Sequence, residues 1–239
     1  MNLKEEGLMY TNDNVTTTLI PISSMSSNRS KAVIKIEEII KRAVDIIGSI
    51  AGMILLIPLT IVIYIANILS KDKGPVFYTQ ERYGKNGKIF KMYKYRSMVV
   101  GADEKLEKYL EENEEAKKEY QKYKKLKNDP RITKVGEFIR KTSIDEFPQF
   151  INVLKGEMTL VGPRPYLPKE REDINGFFNY ITSMKPGLTG YWQVNGRSDV
   201  TFVDRLDMDM NYYYNHTLKT DVKILKQTVA KLLKKEGAI

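Results

Sequence analysis

Residues Ile46 to Leu69 read IIGSIAGMILLIPLTIVIYIANIL, 24 residues without a charge and with only Ser49, Thr60 and Asn67 as polar interruptions. A run of this length reaches the roughly 20 apolar residues needed to cross a bilayer core. It is too long and too uniformly apolar for a buried helix in a soluble domain of this size. Lys41 and Arg42 precede it, Lys71 and Lys73 follow it, and Lys85, Lys88, Lys91 and Lys94 come soon after. Cytoplasmic flanks carry the Lys/Arg excess, and here both flanks do. Pro58, in the middle, removes one helical hydrogen bond and kinks the chain. These features predict a re-entrant helical hairpin or broken helix with both ends cytoplasmic. A kinked spanning helix is the alternative.

Outward from this run, residues 1–30 are rich in Ser, Thr and Asn and read as a flexible tail rather than a secretory signal. Residues 31–73 are expected to form a basic lead-in and the membrane helix, and residues 74–239 a cytoplasmic domain. That domain is expected to be α+β and mainly helical. VFYTQERY and KIFKMYKYRSM flank Gly84-Lys85-Asn86-Gly87 and predict a β-hairpin around an Asn-Gly turn. Ala102 to Lys127 predicts one charge-dense, solvent-facing helix supported by Glu/Lys pairs four residues apart. Asp221 to Lys235 predicts a basic amphipathic helix with Asp221 as its N-cap, suited either to a membrane interface or to packing on the core.

Composition narrows the chemistry. The formal charge is +9, from 39 Lys+Arg against 30 Asp+Glu, so an anionic partner is expected: nucleic acid, an anionic membrane surface or a phosphorylated substrate. With no cysteine, thiol nucleophiles and thiolate metal sites are excluded, and His216 is the sole histidine. Working groups must then come from carboxylates, Arg, Lys, Ser or Tyr. KTSIDEFPQF, Lys141 to Phe150, places Asp145 and Glu146 side by side shortly after Arg140. Pro148 suits a first helical turn, and Ser143 with Glu146 fits an S-x-x-E capping box, so the helix starts at one or the other. Either way the carboxylates sit near a helix N-terminus, where negative charge and phosphate are both favoured. The plain alternative is a charged cap on an ordinary helix. Val161-Gly162-Pro163-Arg164-Pro165 is a rigid elbow that suits Arg164 to bidentate phosphate recognition, or leaves it an exposed arginine in a turn. Trp192, the only tryptophan, belongs in a core or at a lipid interface.

Four ordered segments carry a resemblance: KRAVDIIG before the Pro-containing run, GPVFYTQERYGKNGKIFKMYKYRSM, RKTSIDEFPQFINVLKGEMTLVGPRP, and KPGLTGYWQVNGR. Together they closely resemble the bacterial sugar transferase family, the monotopic polyprenyl-phosphate hexose-1-phosphate (phosphoglycosyl) transferases, from Lys41 to about Gly237. Larger members carry further N-terminal membrane helices and a nucleotide-binding-like domain; this chain looks like the catalytic core with a short tail. The resemblance implies transfer of a sugar-1-phosphate from a nucleotide-diphosphate sugar, with UDP-galactose or UDP-glucose the leading guesses, to undecaprenyl phosphate, releasing the nucleoside monophosphate. It implies a covalent phosphosugar on Asp145, Glu146 as its partner, and magnesium as cofactor with Asp145 among its ligands. It implies phosphate binding by Arg140 and Arg164, with Lys94 and Arg96 in a basic run and Arg197 a weaker candidate for the nucleotide. The expected place is the cytoplasmic face of a bacterial cell membrane, in contact with anionic lipids, in exopolysaccharide or capsule synthesis. No nucleic-acid partner is expected, and pairing into a homodimer stays open. One departure is Ile57-Pro58 where family members often have Ser-Pro, which leaves the bend to Pro58 alone. Rival readings are a metal-dependent glycosyltransferase using Asp207-Met208-Asp209 as a D-x-D motif, a basic membrane-anchored scaffold, and a hydrolase of lipid-linked phosphates.

Overall fold

The computed structural model describes residues 30–71, 74–196 and 200–234. The first element, α1 (Lys31–Leu69), is a single 39-residue helix with Pro58 inside it. Helical geometry continues through Pro58, so the element is not divided into two arms. Near the proline the Leu56 carbonyl accepts from Thr60 Oγ1 at 2.7 Å and from the Tyr95 hydroxyl at 3.1 Å. The second of these bonds ties the helix beside Pro58 to the hairpin.

One stripe of α1 faces the domain along most of its length: Asp45, Ser49, Leu56, Ile63 and Asn67 are all buried. The opposite stripe stays apolar and exposed, including Ile47, Ile54, Ile57, Val62 and Leu69. Two glycines let the backbone approach closely. A Cβ at Gly48 would come within 2.7 Å of Leu160 Cδ1, and one at Gly52 would run into the Phe150 ring.

The basic flank that the topology argument assigned to the membrane edge has another role. Lys41 Nζ donates to the Val161 carbonyl at 2.7 Å and to Asp221 Oδ2 at 2.5 Å. The Arg42 guanidinium donates to the Val153 and Leu154 carbonyls at 2.7 and 2.8 Å. Those carbonyls end the short helix α5 (Gln149–Lys155), where orphan acceptors and the negative end of the helix dipole favour a cation. Asp45 Oδ1 accepts from Thr159 Oγ1 and Leu160 N. Lys41 and Arg42 therefore dock α1 on the domain.

The hairpin forms as expected: β1 (Phe77–Tyr83) pairs antiparallel with β2 (Ile89–Tyr95). Asn86 and Gly87 both take positive φ, 57° and 72°, in the connecting turn, which is why those residue types are needed there. The charged segment differs from expectation. It splits into α2 (Ala102–Glu112) and α3 (Glu114–Tyr123), because Asn113 leaves the helix and caps α3, its Oδ1 accepting from Ala116 N at 3.0 Å. The two helices bury Leu106 and Ala116 with Leu126, so they are not wholly solvent-facing.

α4 (Lys134–Lys141) leads to a 3₁₀ turn at Ile144–Glu146 and then to α5. β3 (Thr159–Val161) lies parallel to β4 (Gly187–Thr189). Between them lie the elbow and two short helices, α6 (Arg171–Ile174) and α7 (Phe178–Thr182). α8 (Tyr191–Asn195), α9 (Phe202–Asn215) and α10 (Leu218–Lys234) close the domain. Asp221 is not the N-cap of α10. Thr217 Oγ1 takes that part, accepting from Thr220 N, while Asp221 is buried against Lys41 and Tyr212. α10 turns Ile224 and Leu225 into the central core with Phe90, Met92, Val153 and Tyr212, and leaves Val222, Val229 and Leu233 exposed. The fold is α+β and mainly helical, with two two-stranded sheets among the described residues.

Candidate active site

Asp145 lies in the 3₁₀ turn that bridges α4 and α5. The chain enters that turn through Ser143 in the left-handed conformation (φ 57°), and Ser143 makes no side-chain cap. The expected capping box is therefore absent; Glu146 N instead meets the Ser143 carbonyl at 3.4 Å. The reason is the αL turn, since an N-cap side chain must leave from an extended backbone to reach the N–H three residues on. Ile144 and Phe147 pack beside Leu56, Tyr95 and Ile139, and this apolar seat draws Asp145 down to 9% exposure.

The turn lies against the inner face of the hairpin. Lys94 Nζ stands 3.0 Å from Glu146 Oε1 and 3.7 Å from Asp145 Oδ2. Burial raises the Asp145 pKa and Glu146 adds to the rise, while Lys94 and Arg140 pull it back toward the ionised form. Strand parity puts Tyr78, Gln80 and Arg82 of β1 on the same face as Lys94, with Tyr78 opposite Lys94 and Arg82 opposite Phe90. Arg82 is buried. It donates from one amine to the Pro165 carbonyl at 2.8 Å and from the other to Gln80 Oε1 at 2.5 Å, while its Nε makes no hydrogen bond. Burial lowers its pKa to about 10, and the charge of Arg164 acts in the same direction, with Glu170, Tyr78 and Glu146 opposing. Arg82 thus feels both Arg164 and Glu146, linking the carboxylate turn to the elbow.

The elbow is clamped from several sides. Gly162 N donates to the Thr189 carbonyl, Gly187 N to that of Pro163, and Tyr83 N to that of Tyr166, at 2.8 to 3.0 Å. The Arg164 guanidinium lies over Trp192 at 5.5 Å with its Nε buried and unbonded. Arg205 lies over the same ring at 5.7 Å, so Trp192 is approached by two cations. Three guanidinium groups, of Arg82, Arg164 and Arg205, therefore gather in a region of low exposure. Buried, closely set cations of this kind favour an anion with several oxygen acceptors.

Other candidates fall elsewhere. Arg96 is buried and donates to the Pro75 and Met98 carbonyls at 2.6 and 2.8 Å, fixing the chain that leaves α1. Arg197 lies outside the described residues. The D-x-D reading fails on geometry. Residues two apart on a helix point about 200° away from each other, and Asp209 is 1% exposed, turned inward to the elbow. Burial pushes its carboxyl from 3.8 up to about 7, against the Tyr166 hydrogen bond, the Arg164 N–H and the fields of Arg164 and Arg205.

A pH effect follows from that shift. The folded chain holds this proton to higher pH than the unfolded chain, so its contribution to stability is full below about pH 4 and lost as pH climbs through about 7. Thermal unfolding of Asp209→Asn and wild type should therefore diverge over that range, with wild type losing ground. Parallel pH profiles would contradict it.

Arg82, Arg205 and Asn152 were not picked out from sequence. Arg82 was visible in principle, because the register set by the Asn-Gly turn puts it in phase with Lys94. Asn152 carried no such signal. Fully buried on α5, it accepts from Tyr93 N through Oδ1 at 3.0 Å and donates to the Lys91 carbonyl at 2.8 Å. It thereby takes the place of a third strand along β2 and holds the lysine strand at the carboxylate turn.

No cluster of three or more carboxylate or histidine ligands is found among the described residues. Asp145 and Glu146 offer two carboxylates, and magnesium is commonly held by one or two carboxylates together with substrate phosphate oxygens. The pair fits an ion that is shared with a diphosphate.

The site thus joins a carboxylate turn faced by a lysine to an arginine-bearing elbow, beside an apolar helix. The chain belongs to the bacterial sugar transferase family, whose profile matches residues 36–235. It is 47% identical over 199 residues to the "Undecaprenyl-phosphate galactose phosphotransferase" of Salmonella typhimurium, covering 83% of this chain and 41% of that protein. It is 38% identical over 198 residues to the "Exopolysaccharide production protein ExoY" of Rhizobium meliloti, covering 83% of this chain and 87% of that one. It is 37% identical over 205 residues to the "UDP-glucose:undecaprenyl-phosphate glucose-1-phosphate transferase" of Escherichia coli, covering 82% and 40%. The chain thus spans about two fifths of the length of the first and third of these relatives.

Proposed function

We propose that this chain transfers a hexose-1-phosphate from a UDP-hexose to undecaprenyl phosphate at the cytoplasmic face of a bacterial membrane, in exopolysaccharide or capsule synthesis. The observation that carries the reading is the buried Asp145 carboxylate within 3.7 Å of the Lys94 ammonium, in a site continued by Arg82 and Arg164. The activities for which the Salmonella and Escherichia relatives are named suggest the reaction class.

In the first step a carboxylate oxygen of Asp145 attacks the sugar-bearing phosphorus. The bond from that phosphorus to the anhydride oxygen breaks, and UMP leaves with the electron pair. In the second, an oxygen of undecaprenyl phosphate attacks the aspartyl-phosphosugar, the aspartyl O–P bond breaks and the carboxylate is restored. No proton has to be taken from the nucleophile, so neither cysteine nor a histidine base is needed. Lys94 and Arg140 hold Asp145 toward its ionised form, and Arg82 and Arg164 bind phosphate oxygens where charge builds up. Magnesium, held by Asp145 and Glu146 together with the diphosphate, would supply charge neutralisation.

The docked helix supports both ends lying on one side of the membrane. From Asp45 to Asn67 the buried stripe runs about 33 Å at the usual rise per residue, close to the roughly 30 Å of a hydrocarbon core. A helix upright in the bilayer would carry the attached domain through that core. A helix immersed at the surface, apolar stripe downward, leaves the site at the level of the lipid phosphate. The chain has no cysteine, so cysteines introduced at Ser30 and Lys85 report cleanly; both should react with an impermeant maleimide from the same side, and reaction from opposite sides sinks this topology.

The activity is tested by incubating purified protein with radiolabelled UDP-galactose or UDP-glucose, with and without undecaprenyl phosphate. UMP release with label in the lipid is expected. Label passing to water instead would indicate a hydrolase, and no transfer from any nucleotide sugar would end the proposal.

A further inference from the structure

The elbow that carries Arg164 has an anchor that the proposed reaction does not use. Asp209, near the middle of α9, is buried, and its Oδ2 accepts from the Arg164 backbone N at 3.1 Å and from the Tyr166 hydroxyl at 2.8 Å. One oxygen thus holds both ends of Arg164-Pro165-Tyr166, while the other, Oδ1, makes no hydrogen bond. One turn further along the same helix face, the Tyr212 hydroxyl donates to Asp221 Oδ1 at 2.6 Å and reaches the Val161 carbonyl at 3.3 Å. α9 therefore grips the chain on either side of Gly162-Pro163. Asp209 is an ionisable group at 1% exposure, and its burial carries a desolvation cost that an apolar side chain would not.

We propose that Asp209 is a positioning residue: its Oδ2 fixes the backbone on both sides of Arg164 and so aims that guanidinium at the donor's phosphate. The inference rests on the reading that Arg164 binds that phosphate. The Arg164 side chain alone has several rotatable bonds. With its backbone N–H and the following tyrosine tied to one buried atom, only the side-chain torsions remain to be fixed when an anion arrives. Arg164 Nε is left buried and unbonded, in keeping with a donor held ready for a ligand. The role needs an acceptor rather than a charge. Burial raises the Asp209 pKa to about 7, so the neutral acid is well populated near neutrality, and an asparagine carbonyl can accept the same two hydrogen bonds.

The test measures binding of UMP to the full chain in nanodiscs by calorimetry. Asp209→Ala should weaken UMP about tenfold, while Asp209→Asn should stay within about threefold of wild type. Arg164→Ala alone should weaken UMP as well, and adding Asp209→Ala to it should bring little further loss, because the residue it positions is gone. A purely structural role would lower the melting temperature without this non-additivity. Equal UMP affinity in wild type and Asp209→Ala, or losses that simply add, overturn the proposal. If Asp209→Ala does not fold, Tyr166→Phe decides: it should weaken UMP about threefold in wild type and have no effect in the Arg164→Ala background, and any other pattern overturns it. If Arg164→Ala binds UMP as wild type does, the phosphate role of Arg164 fails and the inference falls with it. Loss in Arg164→Ala without loss in Asp209→Ala or Tyr166→Phe removes the inference alone.

Discussion

Asp145→Asn is expected to abolish sugar-phosphate transfer, lowering kcat by at least about 1,000-fold while leaving the fold intact. The amide keeps the size of the carboxylate and its place on the seat formed by Ile144 and Phe147, so packing should change little. What it removes is the nucleophile, and losing a group that forms the covalent intermediate costs orders of magnitude that binding residues cannot restore. Two readings separate the mechanism from a binding role. Wild type given UDP-sugar without lipid acceptor should release UMP in a burst of up to one equivalent and trap label on the protein. Asp145→Asn should do neither. Full turnover by Asp145→Asn would mean that another group attacks.

The second large effect is expected at the arginines. Arg82→Ala and Arg164→Ala should each lower kcat/KM for the nucleotide sugar by about 100- to 1,000-fold, the range seen when one preorganised donor to a developing oxyanion is removed. Arg82→Lys should recover only part of the loss. Lysine keeps the charge but cannot hold the Pro165 carbonyl and Gln80 while offering a third donor, as the Arg82 fork does. Steady-state kinetics in the two variants check this, and a change of less than about fivefold in either would remove that arginine from the phosphate site.

How far these residues could be read beforehand varied with the kind of information involved. The hairpin was legible because Asn86-Gly87 has a local requirement, positive φ, that few residues meet. For Asp145 and Glu146, elimination only narrowed the working groups to carboxylates, Arg, Lys, Ser or Tyr, and it was the resemblance that singled out the pair. Long-range geometry was not. Nothing local to Lys94 shows that it meets a turn some fifty residues later; that contact depends on Asn152 completing the edge of β2. Lys41 and Arg42 misled for a related reason. Basic residues beside an apolar run read as a flank, yet their partners are carbonyls more than a hundred residues away. Asp209 was weighed as half of a D-x-D motif because spacing says nothing about which way a helix turns its side chains. Asn113 shows the opposite weakness: an ordinary helix position by charge pattern, it prefers to cap.

The attachment of α1 also fixes what can be done with this protein at the bench. Deleting the helix would strip partners from Asp221, Tyr212, Thr159 and the carbonyls that close α5, and would uncover Leu160 and Phe150 at the same time. A water-soluble form cannot be obtained by trimming the greasy part away, because that part is one wall of the folded domain. On the proposed reading the same welds make α1 a float. It rides at a constant draught in the bilayer, and Asp145 inherits that level, so the reacting carboxylate meets a lipid phosphate without having to search for its height.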